Sequence, residues 1–293
     1  MLQAVLAAEA EEEADSDFIA VEDYPIESNI GYYPGCVDYL DQEMVFSHVN
    51  EGEMNLGDAT TSAFTLFDEM NVDVSYLGRD FLKCCGHDQK WQGLTEVFEK
   101  LKAYNQKKIK QSGIDTLVSS CAECFRTFAR DYELEDVKVM HTTEFLIDQG
   151  FDMNLKANEE TTVTYHDPCR LGRQMGIYEE PRELIQGVDG VSIVEMEHHG
   201  EDAMCCGVSS MMSCNENARA LRVARMEEIK ATGADTMLTS CPKCVSHFEC
   251  LKFEGDERYS DIKILDVVSF LAQQVNEKNA MGETTSNLIE TEA

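Results

Sequence analysis

The amino-acid sequence predicts an α/β protein built from two tandemly repeated Rossmann-like domains with mostly parallel sheets. One observation is an internal repeat: SGIDTLVSSCAECFRTF, from Ser112, and TGADTMLTSCPKCVSHF, from Thr232, match at seven of 17 positions without a gap. Another is that short β-branched runs alternate with amphipathic helical patterns in both halves, which is typical of parallel strands joined by helices. We therefore interpret the chain as a tandem duplication whose two domains are related by a pseudo-twofold axis.

Both copies show the same order of elements. A β-like run ends in an isolated cysteine, NIGYYPGC or TVTYHDPC, and a Cys-Cys-Gly follows. Amphipathic helices are predicted over Leu94 to Gln111 and over Asn215 to Lys230, each with a glycine near its end. A short strand then leads into a CxxC, and a strand-to-helix pattern follows, VKVMHTTEFL or IKILDVVSFL. Because ligands collect beyond the carboxyl ends of parallel strands, we expect the cysteines to lie there, near the domain interface.

The predicted limits follow the repeat and the composition. With 293 residues, of which 43% are apolar, the chain can build two cores. We assign 1–28 to an acidic tail, 29–158 to the first domain, 159–273 to the second domain and 274–293 to a polar tail. The first copy has 47 residues between Cys36 and Cys84 where the second has 35 between Cys169 and Cys205, so an insertion is expected near HVNEGEMNLGD.

Charge and hydropathy exclude several classes of partner. The formal net charge of −32 argues against binding to nucleic acid or to an anionic membrane surface. No apolar run reaches the roughly 18 residues that a membrane-spanning helix needs. The opening MLQAVLAA has no basic flank and runs into EAEEEADSD, unlike an export signal. A cytoplasmic protein is expected, with any membrane association made through a partner subunit.

Twelve cysteines dominate the chemistry of the sequence. In a reducing compartment they favour metal binding or thiol redox chemistry over a disulfide framework. Ten of them recur in order and in approximate spacing in the two copies, and these ten are assigned to two sites. The first set is Cys36, Cys84, Cys85, Cys121 and Cys124; the second set is Cys169, Cys205, Cys206, Cys241 and Cys244. Cys214 and Cys250 have no counterpart and are expected to be structural.

Five thiols in each set favour an iron–sulfur cluster. A structural zinc ion needs only four ligands, and adjacent cysteines rarely point at one tetrahedral ion, whereas a cluster offers several irons to neighbouring thiolates. Thiol–disulfide exchange needs two cysteines. Zinc, thiol exchange and buried structural cysteine remain alternatives at this stage.

Several polar residues flank the cysteines and are weaker candidates. Four histidines could donate hydrogen bonds to cluster sulfur or carry protons, although packed or solvent-exposed histidines are more common. These are His87, His166, His198 and His199. Arg170 and Arg173 follow Cys169 closely. They could offset cluster charge or bind an anionic group of a substrate, or they could simply pair with nearby carboxylates.

The motifs GYYPGC, KCCGHD, SSCAECFRTF, YHDPCRLGR, MCCGVSS and TSCPKC together resemble the cysteine-rich CCG domain, present twice between Asn29 and Gln273. That family includes catalytic subunits of heterodisulfide reductase from methanogens and related subunits of sulfate reducers. It also includes iron–sulfur subunits of systems that oxidise glycerol 3-phosphate, glycolate or lactate. The gap after Cys36 is longer than is usual in the family.

The resemblance implies that the ten cysteines hold two noncubane [4Fe–4S] clusters. It implies an oxidoreductase acting on sulfur groups, which reduces a small-molecule disulfide, the coenzyme M–coenzyme B heterodisulfide, with electrons from a partner subunit. That partner would be a ferredoxin-like iron–sulfur protein, since no ferredoxin-like cysteine run precedes Cys36, and a flavoprotein subunit would be a further partner. The alternatives are an electron-transfer subunit of a lactate, glycolate or glycerol-3-phosphate dehydrogenase system, and a zinc-stabilised scaffold.

Overall fold

A computed structural model describes residues 21–37, 58–151, 154–208, 215–253 and 257–291 of the chain. Each half forms one four-stranded sheet in which all strand pairs are parallel. The predicted fold class, tandem α/β domains with parallel sheets, is confirmed. The domain limits proposed from the sequence remain predictions.

The first sheet has the strand order β2-β1-β3-β4. Its strands are β1 (Ile30–Tyr33), β2 (Ser75–Tyr76), β3 (Thr116–Ser119) and β4 (Lys138–His141). The helices of this half are α1 (Asp58–Glu69), α2 (His87–Trp91), α3 (Thr95–Ser112), α4 (Ala122–Asp131) and α5 (Thr142–Asp148). Tyr33 pairs with Ser119 and Ser119 with His141, so these three strands end level with one another.

The second sheet repeats this topology, with the order β6-β5-β7-β8. Its strands are β5 (Lys156–His166), β6 (Asp189–Ile193), β7 (Thr236–Thr239) and β8 (Lys263–Asp266). The helices are α6 (Gly172–Met175), α7 (Glu179–Gln186), α8 (Glu216–Ala231), α9 (Pro242–Phe253) and α10 (Val267–Thr291). Short 3-10 helices lie at Val21–Asp23, Gly200–Asp202 and Glu257–Tyr259.

Two helices predicted from periodicity, α3 and α8, are confirmed to within a residue at each end. The first ends at Gly113, whose φ of +74° is a left-handed conformation that suits glycine. Helix α8 begins after Asn215, whose side chain accepts a hydrogen bond from the Ala218 amide at 2.9 Å. Local capping chemistry therefore sets these boundaries.

The hydrophobic core is continuous between the halves. One cluster combines Ala122 and Phe125 of the first half with Met226, Phe248 and Leu251 of the second. A further cluster joins Tyr32, Phe67 and Phe145 to Tyr165, Val268 and Leu271. The loops at the ends of the two sheets consequently hold fixed positions relative to each other.

Some sequence predictions fall outside the described residues. The predicted insertion near HVNEGEMNLGD belongs almost wholly to 38–57, and the structure describes the chain again from α1 onward. Within the described part of the N-terminal segment, Tyr24 stacks on Phe81 with ring centroids 4.5 Å apart. Over the described ranges, no helix combines the length and apolar character required to cross a bilayer.

Candidate functional site

Strand ends bring the cysteines together. Cys36 lies three residues after β1 and Cys121 two residues after β3, and Cys169 and Cys241 occupy the matching places after β5 and β7. The Cys-Cys pairs lie in the loops after β2 and β6, the strands that flank β1 and β5. Since all strands are parallel, these loops emerge at the carboxyl edge of each sheet, where the sequence predicted a site.

In the first set, the sulfur atoms of Cys85 and Cys124 lie 3.2 Å apart. The thiol of Cys36 contacts Cys121 and Cys124, and the contact with Cys121 is the main reason why the pKa of Cys36 lies well above its usual value. A hydrogen bond from Cys124 lowers the pKa of Cys85. The five thiols of this set therefore form one connected group, since Cys85 also contacts Cys84.

The second set repeats the contact between the Cys-Cys pair and the CxxC, but its isolated cysteine, Cys169, contacts Cys205 of the pair, whereas Cys36 contacts the CxxC cysteines. The sulfur atoms of Cys206 and Cys244 are 3.4 Å apart. Contact between Cys169 and Cys205 raises the pKa of Cys169 and lowers the pKa of Cys205. Three cysteines of each set are buried and two are partly exposed, the exposed ones being Cys36 and Cys84 in the first set and Cys169 and Cys205 in the second.

Glycines allow the backbone to approach the sulfur atoms. The amide of Gly86 donates to Cys84 Sγ at 3.4 Å, and the amide of Gly207 donates to Cys205 Sγ at 3.3 Å. Gly207 has a φ of +86°, and a Cβ there would lie 2.6 Å from the carbonyl oxygen of Ala218. Only glycine fits such a turn.

The two sets meet through their CxxC turns. The thiol of Cys241 contacts Cys121, and this contact lowers the pKa of Cys241. Lys243, which lies between the two cysteines of the second CxxC in the sequence, is buried. Its Nζ lies 2.6 Å from Glu123 Oε2 of the first half. The same Nζ lies 2.5 Å from Asp88 Oδ2. One ammonium thus pairs with two carboxylates across the interface.

Burial and the neighbouring charges shift the pKa values of Lys243 and Glu123. Burial by itself would lower the pKa of Lys243, but Asp88 and Glu123 outweigh it and raise the pKa well above its usual value. Burial raises the pKa of Glu123 to about 8 although Lys243 opposes the shift. Asp88 also raises the pKa of Glu123, because the two carboxyl groups share a single cation. Lys243 is therefore held firmly in its charged form, whereas Glu123 is not.

The predicted histidines occupy different environments. His87 shares a hydrogen bond with Thr127 at 2.9 Å, and burial lowers its pKa to about 2. His166 is buried next to the second set, and burial lowers its pKa to about 3. His198 pairs with Glu228, and His199 Nδ1 lies 2.8 Å from the carbonyl oxygen of Met196. His166 alone among the four is grouped with cysteine sulfur in the described part of the chain.

Arg170 and Arg173 line a cavity of about 370 Å³ beside the second set. Its other lining residues are Glu123, Cys169, Gln174, Cys205 and Val208. The guanidinium carbon of Arg170 lies 4.0 Å from the ring centroid of Trp91, a cation–π contact between the halves. Arg173 donates to the carbonyl oxygen of Ala203. The cavity therefore combines cationic walls with two cysteine thiols.

A buried ion pair that the sequence did not reveal fixes the loop before Cys169. Arg182 donates to both carboxylate oxygens of Asp167, at 2.7 and 2.9 Å, and to Glu195 at 2.6 Å. Asp167 Oδ2 also accepts from the Gly200 amide at 2.8 Å. The only local signal was an aspartate two residues before Cys169, because Arg182 and Glu195 follow at a distance in sequence.

Glu123 and Lys243 were also missed, although a signal existed. They occupy the same position in the two copies of CxxC and carry opposite charges. If the two CxxC turns face each other across a pseudo-twofold axis, these two side chains come together. The ion pair between Lys243 and Glu123 agrees with this arrangement.

The donor sets fit an iron–sulfur group. Each offers five sulfur atoms, more than a tetrahedral zinc ion uses, and each is backed by a glycine turn whose amide donates to sulfur. The second set also has a buried ring nitrogen of His166 close by. Adjacent cysteines are accommodated naturally when several metal atoms are present.

The model of the cysteine-rich CCG domain matches residues 30–129 and 163–249, and the chain therefore belongs to this family and carries the domain twice. A dihydromethanophenazine:CoB–CoM heterodisulfide reductase subunit from Methanosarcina acetivorans is 31% identical, over 84% of this chain and 59% of its own length. A fumarate reductase (CoM/CoB) subunit from Methanothermobacter marburgensis is 30% identical, over 83% of this chain and 46% of its own.

The chain thus spans about half the length of these curated relatives. Among solved structures, a hypothetical protein from Helicobacter pylori matches 91% of this chain and 53% of its own with a TM-score of 0.57. At 12% identity this likeness shows a shared fold alone.

Proposed function

We propose that the chain is the iron–sulfur catalytic subunit of a heterodisulfide reductase-like complex, an oxidoreductase that acts on a disulfide. The observation that carries the proposal is the presence of two complete, matched sets of five thiols that meet at Cys121 and Cys241. The ligands would be the five cysteines of the first set and the five of the second, holding two noncubane [4Fe–4S] clusters. When bound, these clusters supply the electrons for R–S–S–R′ + 2 e⁻ + 2 H⁺ → RSH + R′SH.

The cavity beside the second set would receive the disulfide. Its volume of about 370 Å³ lies in the range of small-molecule sites. Arg170 and Arg173 would hold an anionic end of the substrate, for which a guanidinium fork is well suited. The relative named for a CoB–CoM heterodisulfide reductase supports the coenzyme M–coenzyme B heterodisulfide as this substrate.

Electrons would reach the chain from a ferredoxin-like iron–sulfur subunit, with a flavoprotein subunit as a further partner. The curated relatives are named as subunits of reductases, which supports work inside a complex. We propose a cytoplasmic location, with any membrane association made through a partner subunit.

A second candidate is an iron–sulfur electron-transfer subunit that serves a dehydrogenase on another chain, such as one acting on lactate, glycolate or glycerol 3-phosphate. A relative from Syntrophomonas wolfei, 25% identical over 70% of this chain, supports this candidate, because its name, EtfAB:quinone oxidoreductase, gives a quinone and no disulfide. In that case the cavity would bind no disulfide.

Metal analysis and EPR of anaerobically purified protein test both candidates. About eight irons per chain with matching sulfide are expected for two [4Fe–4S] clusters, together with a paramagnetic signal that appears when a substrate thiol is added to oxidised protein. Clusters that do not respond to thiol would favour the electron-transfer role. Zinc without sulfide would overturn both candidates.

A further inference from the structure

His166 ends β5 and lies three residues before Cys169. Its side chain is buried, with 1% of the residue exposed, and its ring meets Phe248 edge to face with centroids 5.0 Å apart. A ring nitrogen of His166 and the sulfur atoms of Cys206 and Cys244 all lie within 4.8 Å of one another. The imidazole therefore has a fixed orientation beside the second set of thiols.

Arg225 fixes the tautomer of this ring. Its Nε donates to His166 Nδ1 at 3.1 Å, and a guanidinium N–H can only donate. Nδ1 is therefore the acceptor, and a neutral ring must carry its proton on Nε2. Arg225 is itself held by the His198 carbonyl oxygen at 2.6 Å and by Glu228 Oε2 at 2.5 Å.

The proton on Nε2 lacks an acceptor. Among the residues that the structure describes, His166 Nε2 is buried and has no hydrogen-bond partner. Buried N–H groups are nearly always satisfied, so an acceptor is expected at this place when the site is filled. The ring lies beside the sulfur atoms of Cys206 and Cys244, and a cluster bound by these cysteines would bring further sulfur atoms.

At the matching position the first half has a tyrosine in place of the histidine. Tyr33 occupies the place of His166 in the repeat, and its hydroxyl donates to the carbonyl oxygen of Lys83 at 3.1 Å. The two sites are therefore alike in their ligands and different in their hydrogen-bonding surroundings.

We propose that His166, oriented by Arg225, donates its Nε2–H to a sulfur atom of the second cluster and raises the reduction potential of that cluster above the value it would have without the bond. The inference rests on the proposed function, since it requires a cluster in the second set. Hydrogen bonds to cluster sulfur are an established means of tuning potential, because they stabilise the more negative, reduced state. His166 acts here as a tuning and positioning residue, and Nε2 is not a metal ligand because it carries the proton.

The test compares His166→Phe with a matched variant, Tyr33→Phe, by EPR-monitored redox titration of anaerobically purified protein. The signal of the second cluster is assigned by its loss in Cys241→Ser. In His166→Phe, the ratio of reduced to oxidised second cluster at a fixed potential should fall about tenfold, which for one electron is a shift of about 59 mV to more negative potential. Tyr33→Phe should leave both potentials unchanged.

A second measurement needs no variant and covers the case in which His166→Phe fails to fold. Pulsed EPR on protein labelled with ¹⁵N-histidine should show a weak nitrogen coupling and an exchangeable proton at the second cluster. A strong coupling, typical of a nitrogen bound to iron, or the absence of any nitrogen coupling would overturn the inference, as would an unchanged potential in a folded His166→Phe. Wild-type protein without iron and sulfide would instead refute the proposed function.

Discussion

Replacing Lys243 by methionine should destabilise the folded protein strongly. Methionine has nearly the same length and volume, so the main change is the loss of one buried positive charge. The Lys243 side chain is 3% exposed and its Nζ lies 2.6 Å from Glu123 and 2.5 Å from Asp88. Without the ammonium, the buried carboxyl group of Glu123 and the partly exposed carboxylate of Asp88 would both face an apolar group.

The expected cost is about 3–5 kcal/mol in the free energy of unfolding, the usual range for removing one partner of a buried ion pair. Adding Glu123→Gln to Lys243→Met should restore part of this loss, because an amide carries no charge, whereas burial makes ionisation of the Glu123 carboxyl costly. The matched control is Lys252→Met. Lys252 pairs with Glu249 at 3.2 Å in a partly exposed contact, and its removal should cost less than about 1 kcal/mol.

Urea unfolding followed by circular dichroism under anaerobic conditions measures these differences, with iron content recorded for each variant. If Lys243→Met cost no more than Lys252→Met, the interface would not depend on the ion cluster. A double variant that is less stable than Lys243→Met would show that Glu123 is not left unpaired.

Three further outcomes are expected. Cys241→Ser should lose or convert the second cluster while iron at the first set remains, and Cys250→Ala should keep all iron. Metal analysis measures both outcomes. Iron loss in Cys250→Ala would contradict the assignment of the ligands. Gly207→Ala should lower thermal stability more than Gly233→Ala. Both positions have a positive φ, but of the two only Gly207 would bring a Cβ close to the backbone, 2.6 Å from the carbonyl oxygen of Ala218. Equal melting temperatures would refute this reasoning. Burial raises the pKa of Asp266 to about 7, so the folded state prefers the protonated form and stability from this group is lost as pH rises from about 4 to above 7. Asp266→Asn, which keeps an acceptor for the Val268 amide, should therefore be more stable than wild type at pH 8 by roughly 4 kcal/mol at most but not at pH 4, as urea unfolding at both pH values would show.

Much of the fold was predictable because its signals are local. The amphipathic patterns and the glycine stops predicted α3 and α8, and the matched runs before each CxxC predicted β3 and β7. Because the chain is duplicated, each local pattern occurs in both copies, and the two copies support each other. Positions of the cysteines at the strand ends followed from the general behaviour of parallel sheets.

The site's surroundings were less predictable because they depend on contacts between residues distant in sequence. Lys243 meets Asp88 across 155 positions, and Arg225 meets His166 across 59. A single sequence places each of these residues relative to its own motif and says nothing of the residue it faces. The asymmetry between His166 and Tyr33 was visible in the repeat, but its meaning required knowing where each side chain points.

The opposite charges of Glu123 and Lys243 have a consequence for how such a duplicated protein assembles. In a pair of identical first halves, a glutamate would face a glutamate in a buried turn, and in a pair of identical second halves a lysine would face a lysine. Like charges in such a place oppose association. These charges therefore favour a pair made of one first half and one second half. If the two domains were separated into individual polypeptides, we would expect them to associate as a mixed pair in preference to either self-pair. On this reasoning the covalent link keeps the domains close together, and the charges at the interface select the partner.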